Sequence, residues 1–199
     1  MAHIPPVSLP RPALEIIRRF WTCEFTTLAH TGAPITWPVF PSYLAGSGRF
    51  LIAAPLGYPQ KALNVRRDPH VSLLYSDPTG SGLQRPGSLL IQGLAECPET
   101  IFTSATQADP EVLGEVQEQL RRVLREQPAV SLYLSTPLAR WLMDWYFMRL
   151  LIFVTPRRVI WQPAEEGAGP PRAFAPLPRA ARPSDPLWAM LTRYAPRFA

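Results

Sequence analysis

The chain is poor in the residues that build most recognisable catalytic centres, having two cysteines and three histidines in 199 residues. Cys23 and Cys97 have neither metal-ligand spacing nor the regularity of a disulfide framework, so both read as buried, reduced thiols of a cytoplasmic protein. His3, His30 and His70 stand far apart and lack cysteine or acidic companions at metal-ligand spacing, which leaves long-range assembly as the one route to a zinc or haem site. No glycine-rich dinucleotide fingerprint, phosphate-binding Walker loop, nucleophile elbow or HExxH helix is present. Long hydrophobic runs are also missing. The most apolar stretch, 145–154, is too short to span a bilayer and contains Arg149. Prolines 5, 6, 10 and 12 occupy the place of a secretion signal, so the reading is a protein without membrane association.

Proline, by contrast, is abundant, with 25 residues, and from 163 onward proline, alanine, glycine and arginine dominate. Such a composition buries too little apolar surface to offset the entropy of ordering. The chain therefore divides into a folded unit at 1–162 and an extended tail at 163–199, with one candidate short helix at 186–194 around Leu187, Trp188 and Leu191. The net charge is +5, but the arginines are dispersed and many lie in the tail, so no nucleic-acid partner is expected.

Between these limits the pattern is mostly β. A first amphipathic helix over 11–21 places Leu14, Ile17 and Trp21 on one face. Strands follow at 23–29, 35–44, 50–54, 71–75 and 88–96, separated by glycine- and proline-containing turns. Asp109-Pro110 opens a long helix to 127 with a stripe of Val112, Leu113, Val116, Leu120, Val123 and Leu124. A shorter helix over 136–145 precedes a sixth strand, or a final hairpin, over 149–161 that is broken at Thr155-Pro156. Closely spaced strands with inserted helices argue for an antiparallel barrel or curled sheet, not a doubly wound parallel one.

Two features carry chemistry. Lys61 falls in the first turn of a helix after a Gly/Pro loop, where the macrodipole is already positive; a cation there is mildly unfavourable unless an anion lies close, and the free amides of that turn would serve the same anion. The strand around Trp37-Pro38-Val39-Phe40-Pro41 contains two residues unable to donate to a ladder, so it belongs at an edge or a bulge. Its backbone and the walls of Trp37, Val39 and Phe40 suit a flat heteroaromatic ring. If strands pair in chain order, the 35–44 strand lies beside 50–54, whose end at Ala54 and Pro55 feeds the Lys61 loop. Arg85 and Arg149 are further anion candidates.

In combination, TTLAHTGAPITWPVF, GRFLIAAP, QKALNVRRDPHVSLLYSDP and SLLIQGLAEC resemble the pyridoxamine 5'-phosphate oxidase-like flavin-binding split β-barrel family over about residues 11–161. The resemblance implies a mainly β fold: a six-stranded antiparallel split barrel with flanking helices. It also implies a cytoplasmic homodimer holding FMN, or alternatively a deazaflavin coenzyme, in grooves between subunits. On that reading Lys61 binds the phosphate, the backbone of Trp37, Pro38, Val39 and Phe40 faces the ring, Ala54 and Pro55 allow close approach, and Gln92 reaches the ligand from either subunit. Asn64, Arg66 and Arg67 match family positions, although on the outward side of a helix they read as solvated. One departure is that AAPLGY lacks the phosphate-binding Ser or Thr of many relatives, leaving only the Tyr58 hydroxyl. The implied activity is hydride transfer to or from a small organic substrate. The alternatives are a non-catalytic flavin- or haem-binding dimer and a barrel with an empty groove.

Overall fold

The computed structural model describes residues 9–103, 108–126, 136 and 148–164. The expected helix at 136–145 lies outside these apart from residue 136, and the tail with its candidate helix at 186–194 lies outside them apart from residues 163 and 164.

Chain order is α1 (Arg11–Arg19), β1 (Cys23–Leu28), β2 (Pro34–Val39), β3 (Ser42–Leu44), β4 (Arg49–Pro55), α2 (Gln60–Arg67), β5 (His70–Tyr75), β6 (Ser88–Glu96), β7 (Ile101–Phe102), α3 (Pro110–Glu126) and β8 (Arg149–Gln162). The eight strands form one curled sheet in the order β2-β1-β5-β6-β8-β4-β3, with β7 added beside β8. Every pairing is antiparallel. Five of these strands stand where expected, the expected 35–44 strand is divided into β2 and β3, and β7 is a short addition.

Alternation sets the two faces of the sheet. Cys23, Phe25 and Thr27 of β1, with Val71, Leu73 and Tyr75 of β5 and Leu89 and Ile91 of β6, point inward and are buried. A fully buried side chain of this size contributes about 1.5 to 3 kcal/mol. Helix α1 lids this core through Ala13, Ile16, Ile17 and, just beyond its end, Phe20. It stops at Arg19 because Phe20 takes extended backbone. Trp21 therefore leaves the expected helical stripe and donates its Nε1–H to the Gly80 carbonyl at 3.0 Å. On α3, Val112 is buried while Leu113, expected on the same stripe, is exposed.

The expected pairing of the 35–44 strand with 50–54 holds only for its last residues, where β3 pairs with β4. β2 pairs only with β1, and β4 lies between β3 and β8 at the other end of the sheet. The expected single strand over 35–44 breaks at Phe40-Pro41, where proline interrupts the ladder and sends β3 to the far edge. That break is the split of the barrel. The last element, in contrast, is one continuous strand. β8 runs through Thr155-Pro156 on a bulge, with Gly93 opposite Pro156 and Gln92 opposite Arg158. A Cβ at Gly93 would lie 2.5 Å from the Thr155 carbonyl oxygen, so only glycine allows this approach.

Candidate functional site

Helix α2 is fixed from its buried side. Ala62, Leu63, Asn64 and Val65 are buried, and the helix ends where Asp68, preceding Pro69, becomes extended. Asn64 is the central tie: its Nδ2 donates to Thr27 Oγ1 at 2.9 Å, and its Oδ1 accepts from Gln60 Nε2 at 3.1 Å and Arg67 Nη2 at 2.8 Å. Arg67 also donates to the Leu28 carbonyl at 2.7 Å. Arg66 reaches the Cys97 carbonyl at 2.7 Å and Glu99 at 3.1 Å. The expectation of solvated positions is thus overturned for these three residues, which bolt α2 to β1 and to the segment after β6. Asn64 has no exposed surface.

That anchoring decides where Lys61 goes. Its ammonium lies 5.8 Å from the centre of the Trp37 ring. Trp37 stands directly opposite Phe25 in the β1–β2 ladder, on the inward face. The cation and the aromatic wall therefore meet, although through β1 rather than through a β2–β4 pairing. Among the described residues no carboxylate pairs with Lys61, and its half-burial pushes the ammonium's pKa below the ordinary lysine value by desolvation. It is also the chain's single lysine, among twenty Lys and Arg. The first α-helical bond of α2 runs from Leu63 N–H to Pro59 C=O at 3.0 Å, leaving the amides of Gln60, Lys61 and Ala62 ahead of the ladder. No side chain caps them.

The remaining candidates are distributed around this pair. Val39 is buried, Pro38 is exposed and Phe40 is half exposed at the strand break. Ala54 is buried in the β4–β8 ladder opposite Leu150, and Pro55 opposite Arg149 accepts from Tyr58 N–H at 3.0 Å at the base of the Lys61 loop. Tyr58 itself is 73% exposed. Gln92 belongs to the other face of the sheet: it lies in register with Ser72, which aligns with Thr26 and Thr36, and its Oε1 accepts from Arg158 Nη1 at 3.5 Å. Within one chain it does not join Lys61 and Trp37.

Two residues missed by the sequence reading shape the site. Gln119 of α3 donates through Nε2 to the Phe40 carbonyl at 3.2 Å and to Ser42 Oγ at 3.0 Å, which spans the break between β2 and β3. Glu111, near the start of the same helix, accepts from Gly46 N–H at 2.9 Å. These contacts join positions 65 to 79 residues apart, and no local pattern announces them. Among the described residues there is no cluster of three or more His, Cys, Asp or Glu able to hold a metal ion, and no helix long and apolar enough to cross a membrane. Cys23 and Cys97 are buried and form no disulfide among the described residues.

No protein-family profile and no curated protein matches this chain. Solved structures do match. One superposes with a TM-score of 0.50 at 17% identity, covering 82% of this chain and 91% of the other. The heme binding protein from Mycobacterium smegmatis has a TM-score of 0.49 at 18% identity, covering 84% of this chain, which spans 59% of that protein. A protein related to general stress protein 26, of the pyridoxinephosphate oxidase family, from Clostridium acetobutylicum has a TM-score of 0.48 at 10% identity, with 81% and 90% covered. The sheet order and the first of these likenesses show the fold alone, a curled antiparallel sheet of the split β-barrel kind.

Proposed function

We propose that this chain binds a planar, phosphorylated coenzyme, FMN or a deazaflavin, as a pair of identical chains, and acts as an oxidoreductase on a small organic substrate. The observation that carries the reading is the unpaired, half-buried ammonium of Lys61 beside the Trp37 ring. A cation–π contact at this distance contributes about 0.5 to 1 kcal/mol, less than burial of a charge ordinarily costs, so an anion completes the balance. The residues present fit such a group. Lys61 and the amides of Gln60, Lys61 and Ala62 would hold the phosphate, and the edge strand β2 with Trp37, Val39 and Phe40 would border the ring.

When bound, the coenzyme supplies hydride chemistry, and the protein supplies position, electrostatics and an apolar cover. Lys61 neutralises charge, Asn64 keeps the helix start in place through Thr27, and Gln119 holds the strand break beside Phe40. The alternative reading is a non-catalytic flavin- or haem-binding dimer.

The test is titration of the full chain with FMN, a deazaflavin and haem, followed by visible absorption, with the mass measured by light scattering. Saturable binding of FMN or the deazaflavin by a dimer, followed by substrate-dependent reduction or reoxidation of the bound coenzyme, is expected. Binding without any turnover leaves the carrier, saturation by haem alone leaves the haem protein, and failure of both coenzymes to bind overturns the proposal.

A further inference from the structure

At the opposite end of β5 and β6 from α2, the loop from Ser76 to Gly87 borders an open surface cavity of about 590 Å³, lined among the described residues by Ser76, Pro78, Arg85, Pro86, Gly87 and Ala164. The loop is a built structure. Thr79 N–H donates to Asp77 Oδ1 at 2.9 Å, Ser81 N–H to the Pro78 carbonyl at 3.0 Å, and Leu83 N–H to Ser81 Oγ at 3.1 Å. Trp21 holds its middle through the Gly80 carbonyl. At its end, a Cβ on Gly87 would stand 2.1 Å from the Gln162 carbonyl oxygen, so the backbone there is pressed against the end of β8.

Six described residues take left-handed backbone, and five are glycines: Gly32, Gly48, Gly80, Gly82 and Gly87. The sixth is Arg85, at φ 44, immediately before Pro86. An L side chain is strained in that region, and the following proline disfavours helical backbone at position 85 as well. Glycine would serve the turn better. A residue kept against its backbone preference at the wall of a cavity points to its side chain as the reason. That exposed side chain is a guanidinium with no hydrogen bond or ion pair among the described residues; Ser76 Oγ, on the same cavity, donates to Glu24 at 2.9 Å.

We propose that this cavity is a second binding site, separate from Lys61, which takes a small organic anion, a carboxylate or a phosphate ester, on the Arg85 guanidinium. A guanidinium matches either anion through paired N–H donors. The Ser76 hydroxyl, whose hydrogen is committed to Glu24, offers an acceptor to a hydroxyl or amine elsewhere on the same ligand.

Calorimetric titration of the full chain with inorganic phosphate and with malate tests this. The Arg85→Asn variant keeps a residue that tolerates left-handed backbone while removing the cation, Arg85→Gly serves if that variant fails to fold, and Lys61→Ala controls for the other anion site. At least one probe is expected to bind, to weaken at least about tenfold in Arg85→Asn, and to bind Lys61→Ala as it binds the unmodified chain. Which probe binds identifies the anion class. Binding by neither probe up to about 10 mM, equal affinity in Arg85→Asn, or loss in Lys61→Ala overturns the proposal.

Discussion

Lys61 is the residue on which the proposed coenzyme site turns, and its solitude makes it measurable. Lys61→Ala is expected to weaken FMN or deazaflavin binding by about 1.5 to 3 kcal/mol, the range for a hydrogen bond to a charged group, read as a shift in the titration midpoint. Unchanged affinity would return Lys61 to an ordinary surface role. The pH dependence has a definite sign. Burial lowers the ammonium's pKa in the free protein, whereas a bound anion favours the charged form and raises it. Affinity should therefore be flat below the free-protein pKa and fall as pH rises through it. For the empty protein the sense is opposite: between the folded and the higher unfolded pKa the unfolded chain holds more protons, so the Lys61 contribution to stability improves as pH rises through that window. With one lysine in the chain, the side-chain Nζ resonance reports this titration without assignment.

At the level of elements, α2 is a platform held by one buried amide. Removing Asn64 leaves the buried Thr27 hydroxyl without its amide partner and takes away one of the Arg67 contacts, so Asn64→Ala should cost about 1 to 3 kcal/mol in a denaturant melt. It should also weaken coenzyme binding, because Lys61 loses its fixed position. If stability falls while affinity holds, the tie is structural only. The β6–β8 bulge is the second rigid joint. Gly93→Val sets a branched side chain against the Thr155 carbonyl and should destabilise by at least about 1 to 3 kcal/mol, measured in the same melt.

At the scale of the whole molecule, α3 spans the break between β2 and β3 through Gln119 and holds the β3–β4 turn through Glu111. Coenzyme binding to the folded state alone should raise thermal stability by mass action, about 2.7 kcal/mol at a hundred times Kd. The same FMN concentration should stabilise Lys61→Ala less, a difference visible in thermal unfolding curves. A rise in Tm of equal size in both proteins would separate FMN from Lys61.

Strand positions were largely legible because a period of two with one buried face writes itself into the sequence, and Gly32 and the Asp68-Pro69 pair mark where it stops. The cation at 61 and the proline-broken strand at 38 and 41 were legible for a similar reason, since each violates a local preference. Strand partners were not. Alternation tells a strand which face is buried but not which neighbour it meets, and Pro41 allowed β3 to leave β2 and cross to the far edge. The outward reading of Asn64 failed likewise, because burial of a polar residue depends here on Thr27 arriving from β1, outside its own helix. By itself the sequence determined a β-rich domain with a lysine at a helix start and an interrupted edge strand, features of bonded geometry and local periodicity. Only the tertiary structure decided that Lys61 and Trp37 stand together, because their approach is set by α2 docking on β1, a contact between segments that neither one encodes alone.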